Sequence, residues 1–152
     1  MLLNRTIDTA VGKVMLSEQD SAIVWLTWAN ELEYDQSPLL DEAAAQLNAY
    51  FEGKLSTFDL PVAYHCSPFQ QRVCEEMCKI PFGSTVTYGE LANTLKSAAQ
   101  PVGNACGGNP IAIIVPCHRV LGSKDIGGYS GQGGVETKIA LLKLENAIPW
   151  LI

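Results

Sequence analysis

Five consecutive apolar residues, Ile111 to Val115, stand between Asn109-Pro110 and Pro116-Cys117-His118-Arg119. Such a run is driven into the core, and it carries the polar Cys-His-Arg that follows Pro116 on a buried, rigid base. That is where a fold can hold a reactive group in one geometry. A thiol reacts as its thiolate, and a nearby imidazole either lowers the thiol pKa or takes its proton. Cys117 and His118 are neighbours in the chain, which makes direct side-chain contact awkward, so a bridging water and a carboxylate orienting the imidazole are expected. Arg119 adds positive charge. Taken alone, the pair is weak evidence of chemistry, and its default reading is a structural cysteine beside a satisfied histidine.

The rest of the chain supplies a scaffold of two kinds. From Arg5 to Trp28 short apolar runs, Val14-Met15-Leu16 and Ile23-Val24-Trp25-Leu26, are separated by polar Ser17 to Ser21, which predicts a hairpin or small antiparallel sheet. After Ser37-Pro38, residues Leu40, Ala43, Ala44, Leu47, Tyr50 and Phe51 recur at helical spacing and Gly53 stops the helix. Asp59 to Tyr64, containing Pro61, reads as an extended connector, and a domain boundary is expected near residue 66. Ser67-Pro68-Phe69 then opens a helix over 68–79. Thr87 caps a short helix from Tyr88 to Leu95, a turn follows at Lys96-Ser97, and a second short helix runs from about Ala98 to Cys106. Two short helices and a tight turn predict a helix-turn-helix, with Pro101 in the first turn of its second helix and Gly103 letting the two helices cross closely. A last helix is expected from Val135 to Glu145, anchored by Ile139, Leu141 and Leu142.

Composition removes several classes of function. At 152 residues and 47% hydrophobic content the chain can bury a core as one domain or two small ones. No run of about 18 apolar residues is available to span a bilayer, and the first residues lack the layout of a secretory signal, so a cytoplasmic protein is expected. The five cysteines form no C-x-x-C pair, so neither a disulfide framework nor a zinc site is predicted. Cys74 and Cys78, at i and i+4, are expected to pack as small hydrophobes. The net charge of −6 argues at first against nucleic acid, but its distribution softens the objection: residues 1–66 carry 3 basic and 10 acidic side chains, residues 67–152 carry 7 and 6. If DNA is bound, the second half binds it, with little long-range attraction.

Pro116-Cys117-His118-Arg119-Val120, preceded by Gly108-Asn109-Pro110 and followed by Tyr129-Ser130-Gly131, resembles the signature of the O6-alkylguanine-DNA alkyltransferases. Ser67-Pro68-Phe69-Gln70, Ile80-Pro81-Phe82-Gly83, Thr87 to Ala92 and Gly134 to Glu145 resemble further family segments in the same order, over most of residues 67–152. The first half resembles the family's amino-terminal domain more loosely. The resemblance implies an α/β amino-terminal domain with a small antiparallel, ribonuclease H-like sheet over 1–66. A mainly α, winged helix-turn-helix domain that binds DNA and holds the active site follows over 67–152.

It also implies an activity and a set of roles. Cys117 would accept the alkyl group irreversibly, once per molecule, from O6-alkylguanine in double-stranded DNA, with the protein acting as a monomer and needing no cofactor, metal or membrane. His118 would be the water-mediated base, Glu145 would orient it, and Asn109 would fix the turn beneath the cysteine and link it to the recognition helix. The damaged base would have to leave the duplex to reach a buried thiol. Tyr88 would protonate or hydrogen-bond the departing ring, a backbone N–H at Ser130 would bond its O6, carbonyls at Cys117 and Val120 would accept from the exocyclic amine, and Tyr129 would form a wall. Thr87, Gln100 and Arg119 would meet DNA. The family's usual arginine early in the recognition helix is replaced here by Gln100, which supplies neither full charge nor a planar stacking surface, so DNA affinity is expected to be weak and salt-sensitive. Two other readings stay open: a sensor that binds alkylated guanine without repairing it, and a Cys-His-Glu hydrolase, which would turn over repeatedly.

Overall fold

A computed structural model describes residues 1–149; residues 150–152, the end of the expected second domain, lie outside the described residues. Three strands open the chain: β1 (Leu2–Thr9), β2 (Gly12–Gln19) and β3 (Ala22–Trp28), antiparallel in the order β1-β2-β3. The sheet is larger than its apolar runs suggest. Ser17 to Ser21 was expected as a separator, yet β2 continues to Gln19 and only Asp20 and Ser21 turn the chain, both at positive φ (52° and 63°). That is the backbone twist a two-residue hairpin needs. Ser17 stays in the strand, beside a bulge, because its hydroxyl donates to Asn4 Oδ1 at 2.7 Å.

Helix α1 (Pro38–Phe51) is capped by Ser37 and lies across β1 and β2, burying Leu40, Ala43, Leu47 and Tyr50, while Ala44 and Phe51 are half-buried. The outer edge of β3 is not left open. Ile23 pairs with Val62 of the connector and Leu26 with Ile111 of the apolar run, so both segments satisfy backbone groups that an edge strand would expose.

The second half is mainly helical. Helix α2 (Pro68–Met77) ends two residues before the predicted 79, with Cys78 as its cap. A two-residue strand β4 (Val86–Thr87) leads into α3 (Tyr88–Leu95), and α4 (Ala99–Gly107) follows a left-handed turn at Lys96. Thr87 and Glu90 form a reciprocal capping box at the start of α3. Pro101 sits in the first turn of α4 as predicted. Gly103 does not serve the helix crossing: a Cβ there would meet nothing within 4 Å, and the residue faces a cavity instead. A single 3-10 turn, Cys117–Arg119, runs into β5 (Val120–Leu121), which pairs in parallel with β4 and so ties the turn to the start of α3. Helix α5 (Val135–Leu144) closes the described chain, with Glu145 as its cap. One hydrophobic cluster joins the halves, from Ile7, Leu16 and Leu40 to Met77, Ile111 and Leu141.

Candidate active site

The apolar run forms two tight backbone turns rather than a strand. Ile114 N–H bonds Ala112 O at 2.8 Å, Val115 N–H bonds Ile111 O at 2.9 Å, and Ile113 is held at φ 70°. A β-branched residue in the left-handed region is a genuine outlier, and it persists because Ile111, Ile113 and Val115 are all buried. Asn109 supports this arrangement from within: its Nδ2 donates to Val115 O at 2.8 Å and its Oδ1 accepts from Ile111 N at 3.0 Å. The amide therefore clamps both ends of the run, and Pro116 delivers Cys117 at the first position of the 3-10 turn.

Behind Cys117 lies a closed polar network. His118 Nε2 is 2.7 Å from Glu145 Oε2, and the same oxygen accepts from Tyr50 Oη at 2.6 Å and from the Arg119 guanidinium at 2.9 Å. Glu145 Oε1 accepts from Arg119 Nε at 2.8 Å, making the Arg–Glu contact bidentate. Burial alone would raise the Glu145 pKa, but the bonds from His118, Arg119 and Tyr50 outweigh it and hold the carboxyl at about 2. Glu145 is thus ionised and can only accept hydrogen bonds. Burial lowers the pKa of His118 against the opposing pull of Glu145, so the imidazole is neutral with its proton on Nε2. His118 Nδ1, which has no hydrogen-bond partner among the described residues, keeps a free lone pair. Burial likewise raises the Cys117 thiol pKa, partly offset by Asn109 and Lys138. The resting group is a thiol, and it needs a base.

Arg119 corrects an expectation. It was predicted to meet DNA, but its guanidinium is buried against Glu145 and donates a further bond to Ile80 O at 2.7 Å. Arg119 is therefore part of the network that fixes the carboxylate. The Val120 carbonyl accepts from Lys138 Nζ at 2.6 Å, and the Cys117 carbonyl accepts from Val120 N. Each carbonyl keeps one lone pair for a ligand.

In front of Cys117 opens a cavity of about 370 Å³, bordered by Tyr88, Gly103, Cys106, Gly128, Tyr129 and Ser130. Burial raises the Tyr88 phenol to about 12, so it stays protonated and can offer its O–H as a hydrogen-bond donor. The Tyr129 hydroxyl is buried without a partner among the described residues. Gln100 is exposed one turn before Gly103, and the positions 100, 103 and 107 share one face of α4, so Gln100 extends the cavity-bordering face toward the helix start. No residue of α4 is charged. Thr87 is half-buried, and its hydroxyl oxygen accepts from Glu90 N in the cap, leaving only its O–H to offer a phosphate.

Two participants were missed by sequence reasoning. Lys138 is fully buried; its Nζ donates to Val120 O and, at 3.0 Å, to Gly128 O, and it lies 5.7 Å from the centre of the Tyr88 ring. It pins the loop that carries Tyr129 and Ser130 to the strand leaving the active-site turn. Gly127 fits there at φ 78°, where a Cβ would press on Tyr88 and on Lys138 Nζ. The available signal was a lysine seven residues before Glu145, on the same helix face as the buried anchors. Helical spacing places Tyr50 only on an apolar stripe, although a buried tyrosine hydroxyl nearly always needs a partner.

Comparison with known proteins agrees with this geometry. Residues 2–64 match the profile of the 6-O-methylguanine DNA methyltransferase ribonuclease-like domain, and residues 68–147 that of the DNA binding domain of the same proteins. A methylated-DNA–protein-cysteine methyltransferase from Mycobacterium bovis is 42% identical over 97% of this chain and 94% of its own length, and one from Methanosarcina barkeri is 39% identical over 92% and 94%. The crystal structure of the Mycobacterium tuberculosis O6-methylguanine methyltransferase superposes with a TM-score of 0.85 at 39% identity, covering 97% of this chain and 94% of that one. The Mycobacterium tuberculosis OGT in complex with DNA superposes with a TM-score of 0.85 at 40% identity, covering 95% and 92%. The chain belongs to the 6-O-methylguanine DNA methyltransferase family.

Proposed function

We propose that this protein repairs DNA by taking the alkyl group of O6-alkylguanine onto Cys117, once and irreversibly. The observation that carries the reading is the thiol at the edge of the cavity with a neutral imidazole behind it, whose only free nitrogen is Nδ1. In this reading Nδ1 takes the thiol proton through a bridging water, and the Glu145 carboxylate stabilises the imidazolium that forms. The sulfur then bonds the alkyl carbon, the C–O6 bond breaks, and its electron pair passes to the purine. Tyr88 protonates the purine and is reprotonated through water by the His118 imidazolium, so the overall change moves the thiol proton to guanine and leaves a thioether. The backbone N–H at Ser130 meets O6, where negative charge develops; the remaining lone pairs at Cys117 and Val120 receive the exocyclic amine, and Tyr129 walls the ring.

Asn109 holds the turn under the thiol, and Gln100 and Thr87 lie on the DNA side. The boundary near residue 66 separates the sheet from the DNA-binding part. The five cysteines are unbridged, which fits work in a reducing cytoplasm, and among the described residues no helix is long and apolar enough to cross a membrane.

The test is intact mass spectrometry after incubation with a duplex carrying O6-methylguanine. One methyl group on the Cys117 peptide, saturating at one equivalent, is expected. Tight binding without mass gain would establish a sensor, and continued turnover a hydrolase.

A further inference from the structure

The border of the cavity at Cys117 is built largely from residues without side chains. Gly103 and Gly107 of α4 and Gly128 of the loop between β5 and α5 border it together with Ser130, and a Cβ added at any of these three glycines would meet nothing within 4 Å. The entrance is open as it stands. A purine that is already free of its partner reaches the thiol without displacing a side chain there.

Taking a base out of a duplex asks for more than an open entrance. The base leaves its stack and its pair, and proteins that bring this about offset the cost with a side chain driven between the bases or with contacts to a bent backbone. The two large rings at this cavity are tethered. Tyr88 lies against Lys138, whose Nζ is 5.7 Å from the ring centre, and against the Gly127 turn, where a Cβ would fall 3.1 Å from its Cε2. Tyr129 is held edge to face on Trp28, at 6.0 Å and 85°. On α4 the exposed side chains are those of Ala99, Gln100, Pro101 and Asn104. Pro101 and Asn104 lie about 100° around the helix from the line of Gln100 and Gly107. Gln100 is thus the one long side chain on the cavity-bordering face, and it carries neither a charge nor a ring.

Attraction to phosphate does not depend on pairing in the same way. The turn before α4 and the loop after β5 each carry an exposed lysine, Lys96 and Lys124, and such cations draw in the backbone of a single strand as they do that of a duplex. Resting on the alkyltransferase reading, we infer that the preferred substrate is O6-alkylguanine in single-stranded DNA. A duplex lesion bears the cost of leaving its pair with little returned by α4, whereas an unpaired lesion bears none of it. The reaction at sulfur is the same in both: S–C forms, C–O6 breaks, and the thiol proton ends on the purine.

The experiment measures single-turnover mass gain on the Cys117 peptide, at protein concentrations that saturate the rate, with one O6-methylguanine oligonucleotide in three forms: single-stranded, fully paired, and annealed with the lesion in a one-nucleotide bulge. The single strand is expected to react roughly tenfold faster than the paired duplex or more, and the bulge to recover most of the difference. Gln100→Arg, which supplies a charged planar group at the same position, should narrow the ratio of single-strand to duplex rates. The bulge decides the matter in the unaltered protein if that variant does not fold. A duplex rate equal to or above the single-strand rate, a bulge as slow as the paired duplex, or a ratio unmoved in folded Gln100→Arg overturns the preference while leaving alkyl transfer standing. Failure of the unaltered protein to gain a methyl group from any of the three overturns the alkyltransferase reading and this inference with it.

Discussion

The two sides of Cys117 are built from opposite materials. Behind it, Glu145 receives four hydrogen bonds from Tyr50, His118 and Arg119, all sealed from solvent. In front, α4 presents an uncharged face with Gln100 at its exposed end. Preorganised polar groups lose little on reaction and act strongly in a dry site, whereas attraction to a phosphate backbone comes from mobile surface cations. Two of the second half's basic residues, Arg119 and Lys138, are buried. Its apparent excess of positive charge is therefore largely internal. The chemistry is fixed tightly, and the docking is left sparse.

Breaking the rear side should have the largest effect. Glu145→Gln leaves the Arg119 guanidinium buried without a counter-charge, a loss of about 3–5 kcal/mol. Calorimetry or chemical denaturation should show it, along with slowed alkylation of the thiol by free O6-benzylguanine. The same carboxylate sets an acid limit. Because its folded pKa lies near 2 rather than the ordinary 4.5, its contribution is complete above pH 4.5 and is lost as pH falls toward 2. Stability measured across that window should drop in the native protein and stay flatter in Glu145→Gln.

Lys138→Met removes the donor shared by Val120 and Gly128, and leaving two carbonyls short should cost about 2–3 kcal/mol. It should also free the Tyr129–Ser130 loop, seen as faster amide exchange there. An unchanged exchange pattern would sink the idea that this lysine pins the loop. Tyr50→Phe deletes one bond to a charged group, about 2 kcal/mol, without touching the cavity; thermal melts should shift while the thiol's reactivity toward free base holds within a fewfold.

The front side sharpens the contrast by a smaller energy. Gln100→Arg should speed transfer from a methylated duplex roughly tenfold, about 1.4 kcal/mol, and leave reaction with free O6-benzylguanine unchanged. Equal duplex rates would show that docking is not what α4 lacks.

Much of this could be read without coordinates. The periodicity of α1, the caps at Ser37, Ser67 and Thr87, and the Pro-Cys-His-Arg turn are local signals, and each forms near where the sequence puts it. The carboxylate for His118 was named by resemblance, and the structure brings it to 2.7 Å. The misreadings share one cause. Arg119 reads as a surface cation, Gly103 as a packing glycine and Tyr50 as an apolar anchor because composition and spacing describe a residue's own element, not the element across from it.

The chain by itself determined which segments are buried and which residue types meet at the active-site turn, since hydrophobic periodicity and capping act over a few residues. Only tertiary structure decided that Tyr50 of α1 and Arg119 both converge on Glu145, that Lys138 pins the Tyr129 loop, and that Trp28 borders a cavity at Cys117. These contacts join residues up to 95 positions apart. They exist because buried polar groups must find partners wherever the packing of one shared core places them.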